Sequence, residues 1–116
     1  HASIEKDVEF DKAANGIIGL ETAFSVVYAL VEEGVFTLAE VVRAMSNGPA
    51  KAFGLEGGRL FVGTPANIAI FDLNRSWTVE PLMLKSKSKN TPWVGKVLKA
   101  VAVKTIIAGN VVYSRD

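Results

Sequence analysis

The stretch NGIIGLETAFSVVY, residues 15–28, constrains this chain most, because there a glycine-rich loop runs directly into the most apolar helix of the sequence. Gly16 and Gly19 bracket Ile17 and Ile18, and glycine permits positive φ or a close approach of backbone to a ligand. Two readings fit. One is a loop that grips a small polar molecule through main-chain groups; the other is an ordinary turn leading into a helix. The helix is predicted over residues 20–33, with Leu20, Ala23, Phe24, Val27, Leu30 and Val31 on one stripe and Gly34 as the stop. Val26, Tyr28 and Ala29 widen that stripe until only Glu21, Thr22, Ser25, Glu32 and Glu33 stay polar. A helix of this kind needs cover on most of its surface. The chain is therefore expected to pack on the remainder of its own polypeptide or on another copy.

Composition narrows the class. With 116 residues, 49% of them hydrophobic, and a net charge of +1, the chain is one domain's length of globular material. It has no basic excess of the kind nucleic acid demands, and Lys85, Lys87 and Lys89 read as a solvated loop with no aromatic ladder beyond Trp93. No nucleic-acid partner is expected. Cysteine is absent, which fits a reducing, cytoplasmic setting. No apolar run reaches the roughly 18 to 20 residues of a membrane span, so no membrane partner is expected. Because it begins with His and not Met, the chain is expected to be a processed, tagged or truncated product.

Residues 1–14 are polar and read as a loop. After Gly34, Thr37-Leu38-Ala39-Glu40 has the form of a capping box, and Leu38, Val41, Val42 and Met45 continue a short amphipathic helix to about Met45. Ser46-Asn47-Gly48-Pro49 is expected to break that helix and start another, which Gly54 ends. Beyond Glu56-Gly57-Gly58 the period changes. Strands are predicted at residues 59–62, 66–72, 77–79 and 97–107, with Gly109-Asn110 as a two-residue hairpin turn, so that everything after residue 56 is β.

No reactive constellation stands out. The single histidine, His1, cannot supply a His pair for zinc or a Ser-His-Asp set, and Asp72 and Glu80 have no partner that sequence identifies. No residue of this chain is therefore expected to be catalytic or to ligate a metal. Glu21 at a helix start reads as a helix-dipole partner and not as a catalytic acid.

Two separated motifs nevertheless carry a resemblance that spans essentially the whole chain. Residues 1–23, HASIEKDVEFDKAANGIIGLETA, resemble the end of the catalytic barrel of bacterial dihydroorotases of the longer, hydantoinase-like type within the amidohydrolase superfamily. In that family an Asp-His-Ala-Pro-His motif precedes a Glu-Lys loop and a Gly-Ile-x-Gly-x-Glu-Thr-Ala signature. Far downstream, SKSKNTPW at residues 86–93 is similar to the family's Ser-Lys-x-Lys-Asn-Thr-Pro-Phe segment, with Trp93 in the Phe place.

The resemblance implies an α/β fold: residues 1–55 form the last part of a (β/α)8 barrel, loop plus helices, and residues 56–116 form C-terminal strands of a small β-sandwich. It implies that His1, where the motif's last His would fall, pairs with the substrate carboxylate, a leftover tag being the other reading of a leading His. It also places Asn15 and Gly16 against the dihydropyrimidine ring through main-chain groups, although Asn15 replaces the usual aromatic. The implied reaction is reversible closure of N-carbamoyl-aspartate to dihydroorotate, and the implied zinc ligands lie on earlier barrel strands that this chain does not contain. Alone, the chain is expected to be inactive. Two other parents stay open: an allantoinase or hydantoinase, which shares the fold and the Gly-rich loop but usually differs at the Ser-Lys-x-Lys-Asn-Thr-Pro position, and a metal-less, non-catalytic dihydroorotase-like subunit assembling with aspartate transcarbamoylase.

Overall fold

The computed structural model describes residues 3–115. Helix α1 spans Ala23–Glu32, α2 Leu38–Val42 and α3 Gly48–Phe53; strands β1 (Ile68–Thr78), β2 (Val97–Ile107) and β3 (Asn110–Ser114) form one antiparallel sheet in the order β1-β2-β3. The architecture is α/β, with α1 lying against β2 and α2 against α1.

Helix α1 begins at Ala23, later than residue 20, because Gly19 to Thr22 first closes a turn in which the Thr22 N–H and hydroxyl both donate to the Gly19 carbonyl, at 3.1 and 3.2 Å. Leu20 is left 97% exposed, so it is not part of the packed stripe. The residue of α1 that is most buried is Ser25, which periodicity alone sends outward. A small side chain there lets the helix sit close to β2. The Ser25 hydroxyl donates to the Ala100 carbonyl at 2.9 Å and accepts from Trp77 Nε1 at 3.3 Å, so a buried polar group is satisfied twice. Phe24 stacks on Phe71 of β1 with ring centroids 3.8 Å apart, and Lys99 of β2 pairs with Glu32 at 2.6 Å.

The capping box at Thr37 forms as the sequence predicts: the Glu40 N–H donates to Thr37 Oγ1 at 3.3 Å and the Thr37 N–H donates back to Glu40 Oε2 at 2.8 Å. The expected break at Ser46 to Pro49 does not occur. Residues Arg43–Asn47 form one π-helical turn and lead without a gap into α3. Proline lacks an N–H, and its ring clashes with the carbonyl four residues back; widening the turn by one residue relieves that clash while the chain stays helical. Gly54, in the left-handed conformation with φ +63, ends α3 as predicted.

The sheet differs from expectation in four ways. Residues 59–62 are not a strand: Leu60, Phe61 and Val62 stand 72%, 67% and 107% exposed, with no neighbouring strand to pair with among the described residues. The two strands predicted at 66–72 and 77–79 are one strand, β1. Its register slips between Asp72 and Ser76 opposite Ala100, whose φ is +62, and Asp72 Oδ1 holds the bulge by accepting the Asn74 and Arg75 N–H groups at 3.0 and 3.1 Å. The hairpin turn is Ala108-Gly109, one residue earlier than predicted, with φ of +48 and +82 and with Ile107 paired to Asn110. Between β1 and β2 the chain is not β at all but a short 3-10 turn, Pro81–Met83, and a loop.

Candidate substrate loop

The glycine-rich loop is held from two sides. Gly16 takes φ +94, and an added Cβ would find no atom within 4 Å, so glycine is required by conformation and not by space. Its carbonyl accepts Lys6 Nζ at 2.7 Å and Asn90 Nδ2 at 2.9 Å, and Lys6 also donates to the Ala14 carbonyl. The Ile18 N–H donates to the backbone oxygen of Asn90 at 3.0 Å. The first signature is thereby bolted to the second.

The second signature, residues 86–93, is braced in turn by residues whose roles the sequence does not announce. Glu21 accepts the Lys85 and Ser86 N–H groups at 2.8 and 3.0 Å, so it is a loop anchor, not merely a dipole partner of α1. Lys89 Nζ donates to the Leu84 and Ser86 carbonyls at 2.5 and 2.7 Å, which makes it a cross-brace and not a solvated charge. The Asn90 N–H donates to Ser88 Oγ at 3.2 Å, and that of Trp93 to Thr91 Oγ1 at 3.4 Å, the local turn chemistry expected of Asn-Thr-Pro. No sequence signal identifies Lys6, Glu21 or Asn90 as partners of the loop, since their contacts span many positions.

Of the three residues named from sequence as substrate contacts, Gly16 sits in a tightly held backbone arc and Asn15 is exposed beside it. His1 lies outside the described residues. A cleft of about 1670 Å3 opens between the loop, α1 and the sheet, bordered by Ile17, Glu21, Phe24, Arg59, Trp77 and Lys85 among others; Ile17 and Ile18 line it and Gly16 does not. Its walls draw on the Gly-rich loop, the start of α1, all three strands and the loops around Arg59 and Lys85, and are more apolar than polar. Among the described residues no three His, Asp or Glu side chains come together to hold a metal, so these residues do not fit a zinc centre by themselves. Nor is any helix among them long and apolar enough to cross a membrane.

Three comparisons with known proteins bear on this chain. The chain is 50% identical over all 116 residues to the dihydroorotase of Anaeromyxobacter dehalogenans (strain 2CP-1 / ATCC BAA-258), of which it covers 27%, and 52% identical over 115 residues to that of Pelobacter propionicus, again covering 27%. The fold is similar to a D-hydantoinase structure with a TM-score of 0.87 at 25% identity, over 98% of this chain and 25% of that one. It is also similar to the L-hydantoinase (dihydropyrimidinase) of Arthrobacter aurescens, with a TM-score of 0.82 at 34% identity, over 89% of this chain and 24% of that one. The chain thus spans about a quarter of the length of the relatives it matches. The model of the amidohydrolase family matches residues 8–112, a stretch that takes in the Gly-rich loop, the second signature and most of the sheet, and the chain belongs to that family.

Proposed function

We propose that this chain is the substrate-loop and scaffold portion of a dihydroorotase, an enzyme that interconverts N-carbamoyl-L-aspartate and dihydroorotate. The observation that carries the reading is identity: half of the residues, along the full length of the chain, match proteins named dihydroorotase. The hydrogen-bonded junction of the two signatures supports it, because a loop held through its own backbone can offer main-chain groups to a cyclic amide whatever the side chains are. In this reading Gly16 and Asn15 face the ring and His1 meets the substrate carboxylate. Zinc, which would polarise the ring carbonyl, is held by residues outside this chain. The short cap of residues 1–55 and the strand-rich residues 56–116 are the barrel end and the sandwich portion.

A hydantoinase-type parent is the second reading, favoured by the named structures that share the fold. The lower identities there, 25% and 34% against 50% and 52%, place it second.

The test is a chimera in which this chain replaces the aligned stretch of the Anaeromyxobacter enzyme. Turnover of dihydroorotate in preference to allantoin, hydantoin and dihydrouracil is expected. Preference for any of the latter three supports the second reading, and a folded, zinc-loaded chimera that turns over none of them would sink both. The chain on its own is expected to show no turnover.

A further inference from the structure

We propose that Asn90 is a positioning residue that sets the Gly16–Ile17 peptide plane, and that the main-chain donor this plane presents to a cyclic amide is the N–H of Ile17. The inference rests on the reading of the Gly16 loop as a substrate contact. Asn90 touches the loop twice, its backbone oxygen accepting the Ile18 N–H at 3.0 Å and its Nδ2 donating to the Gly16 carbonyl at 2.9 Å. One residue therefore fixes both ends of the arc. Lys6 Nζ, at 2.7 Å, supplies a second donor to the same oxygen, so both acceptor positions of the Gly16 carbonyl are engaged.

The consequence follows from peptide geometry. The bond joining Gly16 to Ile17 is trans and planar, so its N–H points opposite to its carbonyl. Holding the oxygen between Lys6 and Asn90 turns the Ile17 N–H away from both. Among the described residues that N–H meets no acceptor, and Ile17 borders the cleft. A neutral donor held in this way suits a ring carbonyl, whose oxygen accepts a hydrogen bond without needing a charge. Asn90 does not line the cleft, so its action runs through the loop.

The experiment uses the chimera described above with Asn90→Asp, Asn90→Ala and Lys6→Met. Aspartate keeps the size of asparagine and the backbone carbonyl but sets an acceptor against the Gly16 oxygen. If the donor is what matters, both Asn90 variants raise KM for dihydroorotate about tenfold while kcat stays within about threefold, because a contact shared by ground and transition states moves KM. Lys6→Met shifts KM in the same direction. Folded Asn90 variants whose KM stays within about twofold of the parent, with only a lowered thermal midpoint, overturn the proposal by showing a merely structural role. Should both Asn90 variants fail to fold, Lys6→Met decides alone, an unchanged KM again overturning it. Absence of dihydroorotase activity in the unsubstituted chimera is a different result, since it counts against the function proposed above and not against Asn90.

Discussion

Glu21 and Ser86 are joined across 65 positions of sequence: the Ser86 N–H reaches the Glu21 carboxylate at 3.0 Å, and the neighbouring Lys85 N–H reaches its other oxygen at 2.8 Å. A carboxylate that accepts two successive backbone N–H groups fixes the direction of the chain it holds. The start of the second signature therefore takes its orientation from Glu21, two residues ahead of α1. Glu21→Gln leaves one acceptor and turns a donor toward the other N–H. We expect it to weaken the junction by about 1 kcal/mol, at the low end for a charged hydrogen bond because the site is solvent-exposed. Faster hydrogen exchange at Lys85 and Ser86, with exchange in β2 unchanged, is the readout; equal rates in both proteins would show that the anchor is not needed.

Ser25 is the polar pivot between α1 and the sheet. Ser25→Ala removes the acceptor of Trp77 Nε1 and the donor to the Ala100 carbonyl in a buried setting, which is expected to cost about 1 to 3 kcal/mol. Denaturant midpoints of the chimera and its variant measure this. Ser25→Thr, which keeps the hydroxyl but adds a methyl at a close helix–sheet contact, is expected to be destabilising as well.

Gly16→Ala separates conformation from space. The new methyl meets no atom within 4 Å, yet φ +94 is costly for any residue with a Cβ, by roughly 1 kcal/mol or more. The variant is expected to fold and to lose affinity for substrate as the peptide plane relaxes. A KM equal to that of the parent chimera would show that the loop keeps its geometry without glycine.

Acid should loosen α2 through its cap. The Thr37 backbone N–H, and then its hydroxyl, hold the Glu40 carboxyl below its ordinary value of 4.5. A carboxyl whose folded value is depressed contributes stability that is fully present above 4.5 and is lost as pH falls through the lower folded value. Exchange at the first amides of α2 should therefore accelerate on acidification below that range, after correction for intrinsic rates. Thr37→Ala should raise the rate at neutral pH, at a cost of about 1 kcal/mol, and lessen the acid dependence without abolishing it, because the backbone N–H at position 37 still donates to Glu40.

The chain expressed alone is expected to self-associate. Among the described residues the buried apolar core is confined to Val41, Val79, Leu84, Ala100 and Val101, while Phe10, Leu20, Val62 and Leu82 stand 98%, 97%, 107% and 95% exposed. A core this small gives little against the cost of ordering a chain whose stability is marginal in any case, on the order of 5 to 15 kcal/mol for a domain. Sedimentation that shows a monomer with a single cooperative unfolding transition would refute this.

The sequence by itself determined the features set by near neighbours. The capping box at Thr37, the stops at Gly34 and Gly54 and the long strand ending in a two-residue turn are all local, because each depends on contacts within a few residues. The two signatures, and through them the family, are legible for the same reason. What only the tertiary structure decided is which distant groups meet. Ser25 is buried because β1 bulges opposite Ala100 and leaves the Ala100 carbonyl to be satisfied; β1 runs through Asp72 to Ser76 because β2 continues opposite it. Residues 59–62 have the composition of a strand and no partner, so they are not one. Lys6, Glu21, Lys89 and Asn90 read as ordinary polar residues until the fold brings backbone carbonyls and amides within about 3 Å of them, the range in which a hydrogen bond acts and beyond which the sequence carries no trace of it.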